Sequence, residues 1–217
     1  MRILRRHIEK LGYKRNFVIY NESEQLGAAK KILSTISGKD VKADPRELHG
    51  LLSRLKNAGS NGNVFGDEDT LAMADHIRKR YDTALKAANA VDFDDLLLLT
   101  LKLFHENPEA LEECRARYQY VMVDEYQDTN AIQFELMRML GAEHRNVCVV
   151  GDDDQSIYGW RGAEMSNLLD LEKYFPDLKG IKREQSCRST RVILEAANAV
   201  IKNNPRHRPK QLWTAEG

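Results

Sequence analysis

The chain has 217 residues, 42% of them hydrophobic and 30% charged, and its 33 basic residues are matched by 33 acidic ones. That length suits one large domain or two small ones, with enough material to bury a core. No apolar run approaches the roughly 20 residues of a membrane span, the basic N-terminus MRILRRHIEK lacks the apolar stretch of a signal peptide, and the three cysteines show neither metal-ligand nor disulfide spacing. A reduced, cytoplasmic protein is the expectation. The zero net charge gives no general support for nucleic-acid binding. The distribution is uneven, however: residues 1–15 carry six Lys/Arg against Glu9, and residues 179–210 carry nine against Glu184 and Glu195.

The first part of the chain reads as helical. Ile3, Leu4, Ile8 and Leu11 recur at helical spacing, with Gly12 placed as a stop. Residues 16–20 read as a short extended connection, and a helix is predicted over 23–36, ending near Gly38. Asp44-Pro45 supplies an N-cap and a first-turn proline for a helix through Leu55. Gly59 to Asn63 is a flexible loop, Asp69 or Thr70 caps a long helix to about Ala90, and residues 92–105 form another.

The character changes after Arg117. Residues 120–123 are a short apolar β-type run ending in carboxylates, residues 131–140 an amphipathic helix, and residues 147–150 a second buried strand ending in Gly-Asp-Asp-Asp. A helix over 166–174, a third strand at 180–182 and a helix over 189–202 complete the pattern. Strands alternating with helices indicate an α/β fold with a parallel sheet, in which ligands sit beyond the carboxyl ends of the strands. Both acidic clusters fall there.

In Val121-Met-Val-Asp-Glu-Tyr-Gln-Asp128 a strand holds Asp124 where it can serve a magnesium ion, a hard cation that favours oxygen ligands and shares them with phosphates. Glu125 then orients and deprotonates an attacking water. The plainer alternative is an acidic turn after a core strand. After the second strand, Gln155 offers a neutral amide to a phosphate oxygen, while Tyr158, Trp160 and Arg161 combine two ring faces with a cation, which suits unpaired bases and a backbone phosphate. Core aromatics after a turn are the plainer reading there. Asp152 to Asp154 also admit a carboxylate-metal nuclease, a reading opposed by the alternation of successive strand residues between faces.

Asp124-Glu-Tyr-Gln-Asp-Thr-Asn130 and Gly151-Asp-Asp-Asp-Gln-Ser-Ile-Tyr-Gly-Trp-Arg-Gly-Ala163 resemble the second and third helicase motifs of the UvrD/Rep/PcrA family of superfamily 1. Leu11 to Phe17, Val91 to Leu96 and Asn203-Asn-Pro205 extend the resemblance over essentially the whole chain. The resemblance implies part of a RecA-like P-loop NTPase sheet with an all-α inserted subdomain. Residues 1–95 would be the helical insertion of 1B type, 96–182 part of the first motor domain with the Walker B and third motifs, and 183–217 the start of the second motor domain.

It further implies ATP and magnesium as cofactors, Asp124 serving the metal and Glu125 acting as general base. Gln155 contacts the terminal phosphate, and Arg188, in the fourth-motif stretch Arg183 to Thr190, reaches it from the second motor domain. Tyr158, Trp160 and Arg161 lie along single-stranded DNA, with junction DNA and repair or replication proteins as partners. Two departures stand out. Cys187 occupies the position of the family's adenine-stacking aromatic, and no G-x-x-x-x-G-K-[ST] occurs in the sequence. The chain is therefore expected to be a helicase fragment that is inactive alone; the alternative is a non-catalytic DNA- or partner-binding module derived from such a helicase.

Overall fold

The computed structural model describes residues 1–36, 44–57, 68–159, 162–164, 166–169, 171–204 and 209–215. The Gly59–Asn63 loop, Gly38, Trp160 and Arg161 lie outside the described residues. The elements are α1 (Arg2–His7), β1 (Val18–Ile19), α2 (Glu22–Ile36), α3 (Pro45–Asn57), α4 (Glu68–Ala87), β2 (Ala90–Val91), α5 (Asp95–Glu106), α6 (Pro108–Arg117), β3 (Val121–Val123), α7 (Ala131–Gly141), β4 (Val147–Val149), α8 (Ser166–Leu169), α9 (Leu171–Tyr174) and α10 (Arg191–Ile201). The result is a mixed α/β protein of two compact units. One comprises Met1–Met122 with Asn130–Cys148, the other Val123–Thr129 with Val149–Gly217.

In the first unit, α2, α3 and α4 pack around Ala29, Ile32, Leu48, Leu52, Ile77, Tyr81 and Leu85. A second cluster joins Leu4 and Ile8 to Phe17 and Val91. A third joins Leu103 and Phe104 of α5 to Ala110, Leu111 and Cys114 of α6 and Met139 of α7. Gly12 ends the opening helical segment in the left-handed conformation at φ 78, as its position predicts.

The all-helical reading before residue 95 is corrected in one respect: the extended connection expected at 16–20 is part of a small sheet, paired with residues at the expected end of the long helix. Val18–Ile19 and Ala90–Val91 are short strands that pair in parallel, Val18 opposite Ala90 and Ile19 opposite Val91. Three of these four residues are β-branched, which favours the pleated conformation once a partner strand is at hand. The helix α6 has no forerunner in the sequence reading; Pro108 opens it at a position where a missing N–H costs nothing. α5 starts at Asp95 rather than Asp92 because the Asp92 carboxylate accepts the Asp95 backbone N–H at 2.9 Å.

The strands β3 and β4 form a two-stranded sheet. Val121 N–H donates to Asn146 O at 2.9 Å, and Val150 N–H to Val123 O at 2.8 Å. Both strands carry apolar residues on both faces, a pattern of double coverage. Met122 is nevertheless 78% exposed and Cys148 is exposed. Residues 180–182, expected as a third strand, have no regular structure, and the helix expected over 166–174 is present as the two short helices α8 and α9.

One polar cluster anchors the first unit. The Lys56 side chain, 1% exposed at the end of α3, reaches Asp92 at 2.7 Å, Asp95 at 2.8 Å and Asp82 at 3.2 Å. The Tyr81 ring lies 5.1 Å from the ammonium, a cation–π contact. Beside it, Asn57 donates to Asp94 at 2.9 Å and accepts from the Asn130 side chain at 3.2 Å. Asn130 is the N-cap of α7 and forms a full capping box with Gln133. The end of α3 is thereby bonded both to the loop before α5 and to the cap of α7.

Two outcomes follow from this cluster. Lys56→Met keeps the stem but leaves carboxylates buried without their cation, so denaturant unfolding should show a loss of about 3–5 kcal/mol; a loss below about 1 kcal/mol would contradict the anchoring role. Burial, reinforced by the Asp92 charge and opposed by Lys56, pushes the Asp95 carboxyl up to about 6. A carboxyl raised in the folded state binds its proton more tightly there than in the unfolded chain. Stability from this group therefore rises as pH falls from above 6 toward the unfolded value of about 4. Unfolding across that window should show this slope, and Asp95→Asn should abolish it.

Candidate functional site

Asp124 and Glu125 follow β3 and are both exposed. The Asp124 carboxylate is oriented by its neighbour, Oδ1 accepting the Glu125 N–H at 2.9 Å. Glu125 sits in the left-handed region at φ 49, ψ 44. For a residue with a Cβ that conformation costs about 1–2 kcal/mol, and the surrounding bonds hold it. Tyr126, wholly buried, donates its N–H to Val150 O at 2.9 Å. Behind the turn over Tyr126–Asp128, Thr129 O accepts from the Asn167 side chain at 3.0 Å and from Glu164 N–H at 3.0 Å.

Gln127 is 1% exposed and uses both ends of its amide. Its Nε2 donates to Glu125 Oε2 at 2.8 Å, and its Oε1 accepts the Asp152 backbone N–H at 3.0 Å. The approach is close: a Cβ on Gly151 would stand 2.9 Å from Gln127 Oε1 and 3.3 Å from Gln127 N. Only glycine leaves the backbone after β4 this near the Gln127 side chain.

Asp153–Gln155 form a 3-10 turn capped by Asp152. Asp152 Oδ1 accepts the Asp154 N–H at 3.1 Å, while Oδ2 accepts Gln155 Nε2 at 2.7 Å. The Lys210 ammonium bonds Asp152, lies 2.9 Å from Asp153 and 2.9 Å from Asp154. Asn204 donates to Asp154 Oδ1 at 3.2 Å. Burial opposes ionisation of Asp152, but hydrogen bonds from Lys210 and Gln155 outweigh it and hold the carboxyl below its ordinary value.

The expectation that three consecutive aspartates diverge is thus corrected. Alternation belongs to strands, and these residues lie on a turn, where one oxygen from each comes within 4.8 Å of the others. The centre they share is occupied by the Lys210 ammonium. Asp124 fits a magnesium ligand better. It presents an exposed carboxylate, a hard oxygen donor, with no ion pair among the described residues.

The structure joins Glu125, Gln127, Asp152 and Gln155 into one hydrogen-bonded chain. Tyr158 is 39% exposed. Arg188 stands exposed on a separate loop, where its N–H and that of Ser189 donate to Ser186 Oγ at 3.3 and 3.2 Å. Sequence reasoning missed Gln127 and Lys210. Gln127 lies inside the quoted motif, but nothing in its residue type shows that it is buried. Lys210 is one of nine basic residues in its stretch and bears no local mark.

Residues 1–176 match the family described as UvrD/REP helicase N-terminal domain. The chain is 44% identical over 218 residues to the ATP-dependent DNA helicase PcrA of Staphylococcus aureus strain Mu50, an alignment covering 99% of this chain and 30% of the relative. It is 43% identical over 222 residues to the protein of the same name from Staphylococcus epidermidis strain ATCC 12228, again with 99% and 30% covered. The chain thus spans about a third of the length of these relatives. On its matched residues and on both strand-end motifs, it belongs to the UvrD/REP helicase N-terminal domain family.

Proposed function

We propose that this chain carries the magnesium-serving and terminal-phosphate-facing half of the ATP site of a DNA helicase motor that moves along single-stranded DNA and unwinds duplex. The observation that carries the reading is the unbroken chain from Glu125 through Gln127 and Asp152 to Gln155, which ties together the two strand-end motifs. In this reading the strands belong to a RecA-like sheet. Residues 1–95 are read as the inserted helical subdomain, with α2 to α4 its main helices, residues 96–182 as part of the first motor domain and 183–217 as the start of the second.

Each residue has a role set by its chemistry. Asp124 offers an oxygen to magnesium, which when bound with ATP supplies charge neutralisation at the phosphates. Glu125, held by Gln127, accepts a proton from the attacking water. Gln155 has two N–H donors, one engaged by Asp152, leaving its amide suited to a terminal-phosphate oxygen. Arg188 brings a fixed positive charge to the same phosphate, as an arginine finger does. Cys187 offers no ring, so adenine stacking is not assigned to it. Tyr158, Trp160 and Arg161 bind single-stranded or junction DNA by stacking and phosphate contact.

A second reading, a non-catalytic DNA- or partner-binding module, is favoured by one sequence fact. The 217 residues hold no G-x-x-x-x-G-K-[ST], whose backbone amides and lysine grip the β- and γ-phosphates. This chain alone is accordingly read as unable to turn over ATP. No helix among the described residues is long and apolar enough to cross a membrane.

Within a full-length motor, Glu125→Gln should retain nucleotide binding while DNA-stimulated phosphate release falls by roughly 10²-fold or more, the usual worth of a general base. Near-normal turnover would remove Glu125 from that role. Trp160→Ala in the same motor should weaken single-strand binding by about 1–3 kcal/mol whatever the base sequence, with DNA-free ATPase intact. A variant with a lowered melting temperature and all activities damaged together would instead make Trp160 a core residue.

A further inference from the structure

The three carboxylates after β4 pose an electrostatic problem that the ATP-site reading does not address. Asp152, Asp153 and Asp154 converge to within 4.8 Å, and like charges so placed repel. Lys210 meets all three with an ammonium that has three donors. Its side chain is only 19% exposed, and Asp153 and Asp154 are more deeply covered still. This is a charge-assisted network, unlike an isolated surface ion pair.

The backbone beneath Lys210 is pinned. Pro209 O accepts from Lys182 Nζ at 2.6 Å, Gln211 N–H donates to Glu184 at 2.9 Å, and Leu212 exchanges bonds with Asn198 at 2.8 and 3.1 Å. Trp213 then pairs with residues 184–186: its N–H donates to Glu184 O at 3.0 Å and its carbonyl accepts Ser186 N–H at 2.7 Å. Ser186 Oγ in turn holds the backbone of Arg188. One lysine therefore stands between the Asp152 carboxylate, whose other oxygen fixes Gln155, and the segment that supports the Arg188 loop.

We propose that Lys210 is a positioning residue for the ATP site: a tethered cation that holds the acidic turn closed, fixes the Gln155 amide through Asp152, and ties that turn to the loop carrying Arg188. The inference rests on the reading of Gln155 and Arg188 as phosphate contacts. It adds a residue outside the recognised motifs whose loss alters Gln155 without touching nucleotide. The ion pairs persist over ordinary pH: burial pulls the Lys210 ammonium down, but its bonds to the three aspartates together outweigh this and raise it, while Asp152 is held down.

The test uses this chain with ¹⁵N-labelled glutamine side chains and amide hydrogen exchange. Lys210→Met should shift the Gln155 side-chain amide signal and speed exchange of backbone amides 152–156 and 184–188 by roughly tenfold or more, as expected for loss of charge-assisted bonds. Amides of α2 to α4 should be unaffected, and Lys210→Arg should restore much of the protection. An unchanged Gln155 signal in Lys210→Met overturns the proposal, as does uniform acceleration across the whole chain. If Lys210→Met does not fold, Lys210→Gln should give the same localised change at smaller amplitude, and its absence there counts equally against the proposal. In a full-length motor, a Gln155 signal that responds to Lys210→Met but not to a magnesium–nucleotide analogue would defeat the phosphate-contact reading while leaving the positioning role standing.

Discussion

A single buried amide holds the candidate site together. Gln127 is placed where its two ends must satisfy opposite partners, a carboxylate oxygen of Glu125 and a backbone N–H at Asp152. No other side chain of that length offers both a donor and an acceptor without charge. Glutamate would set a second negative group against Glu125, and an apolar residue would leave the half-buried Asp152 N–H without its partner. The left-handed backbone of Glu125 and the glycine at 151 both follow from this constraint. One aims the carboxylate at the amide, and the other lets the next strand end come close enough to be bonded.

A second polar centre organises the first unit. Lys56 and its aspartates anchor the end of α3 against the start of α5, and the neighbouring asparagine pair carries the connection to the cap of α7. That cap begins one residue after Thr129, which closes the turn carrying Gln127. The helical layer is therefore bonded to the cap of α7 within the same unit. A buried ion cluster is a weak source of stability compared with an apolar core, yet breaking it is costly.

The family and much of the fold are legible in the sequence, for identifiable reasons. Gly12 has few roles other than a left-handed stop, Asp44-Pro45 marks a helix start, and the strand-end carboxylates sit where short apolar runs finish. The long motifs around Asp124 and Gln155 identify the family because so many consecutive residues are specified together. What escaped depended on distance. The pairing of Val18–Ile19 with Ala90–Val91 joins segments 72 residues apart in register, and two-residue strands give no periodicity to read. The convergence of Asp152, Asp153 and Asp154 escapes a strand-based reading because alternation between faces fails where the chain turns. Lys210 gains its partners from 56 to 58 positions away, and neither its type nor its neighbours announce them.

The central claim is that the two strand-end motifs act as one unit through the Gln127 amide. A double-mutant cycle on Gln127→Ala and Gln155→Ala, read as DNA-stimulated ATP hydrolysis in a full-length motor containing this chain, tests it most directly. Coupled residues in one hydrogen-bond network show interaction energies of about 0.5–3 kcal/mol. The account predicts a coupling of at least about 1 kcal/mol, with the double variant little worse than either single one. Strictly additive losses would mean that the Glu125 and Gln155 ends work independently, and would contradict it.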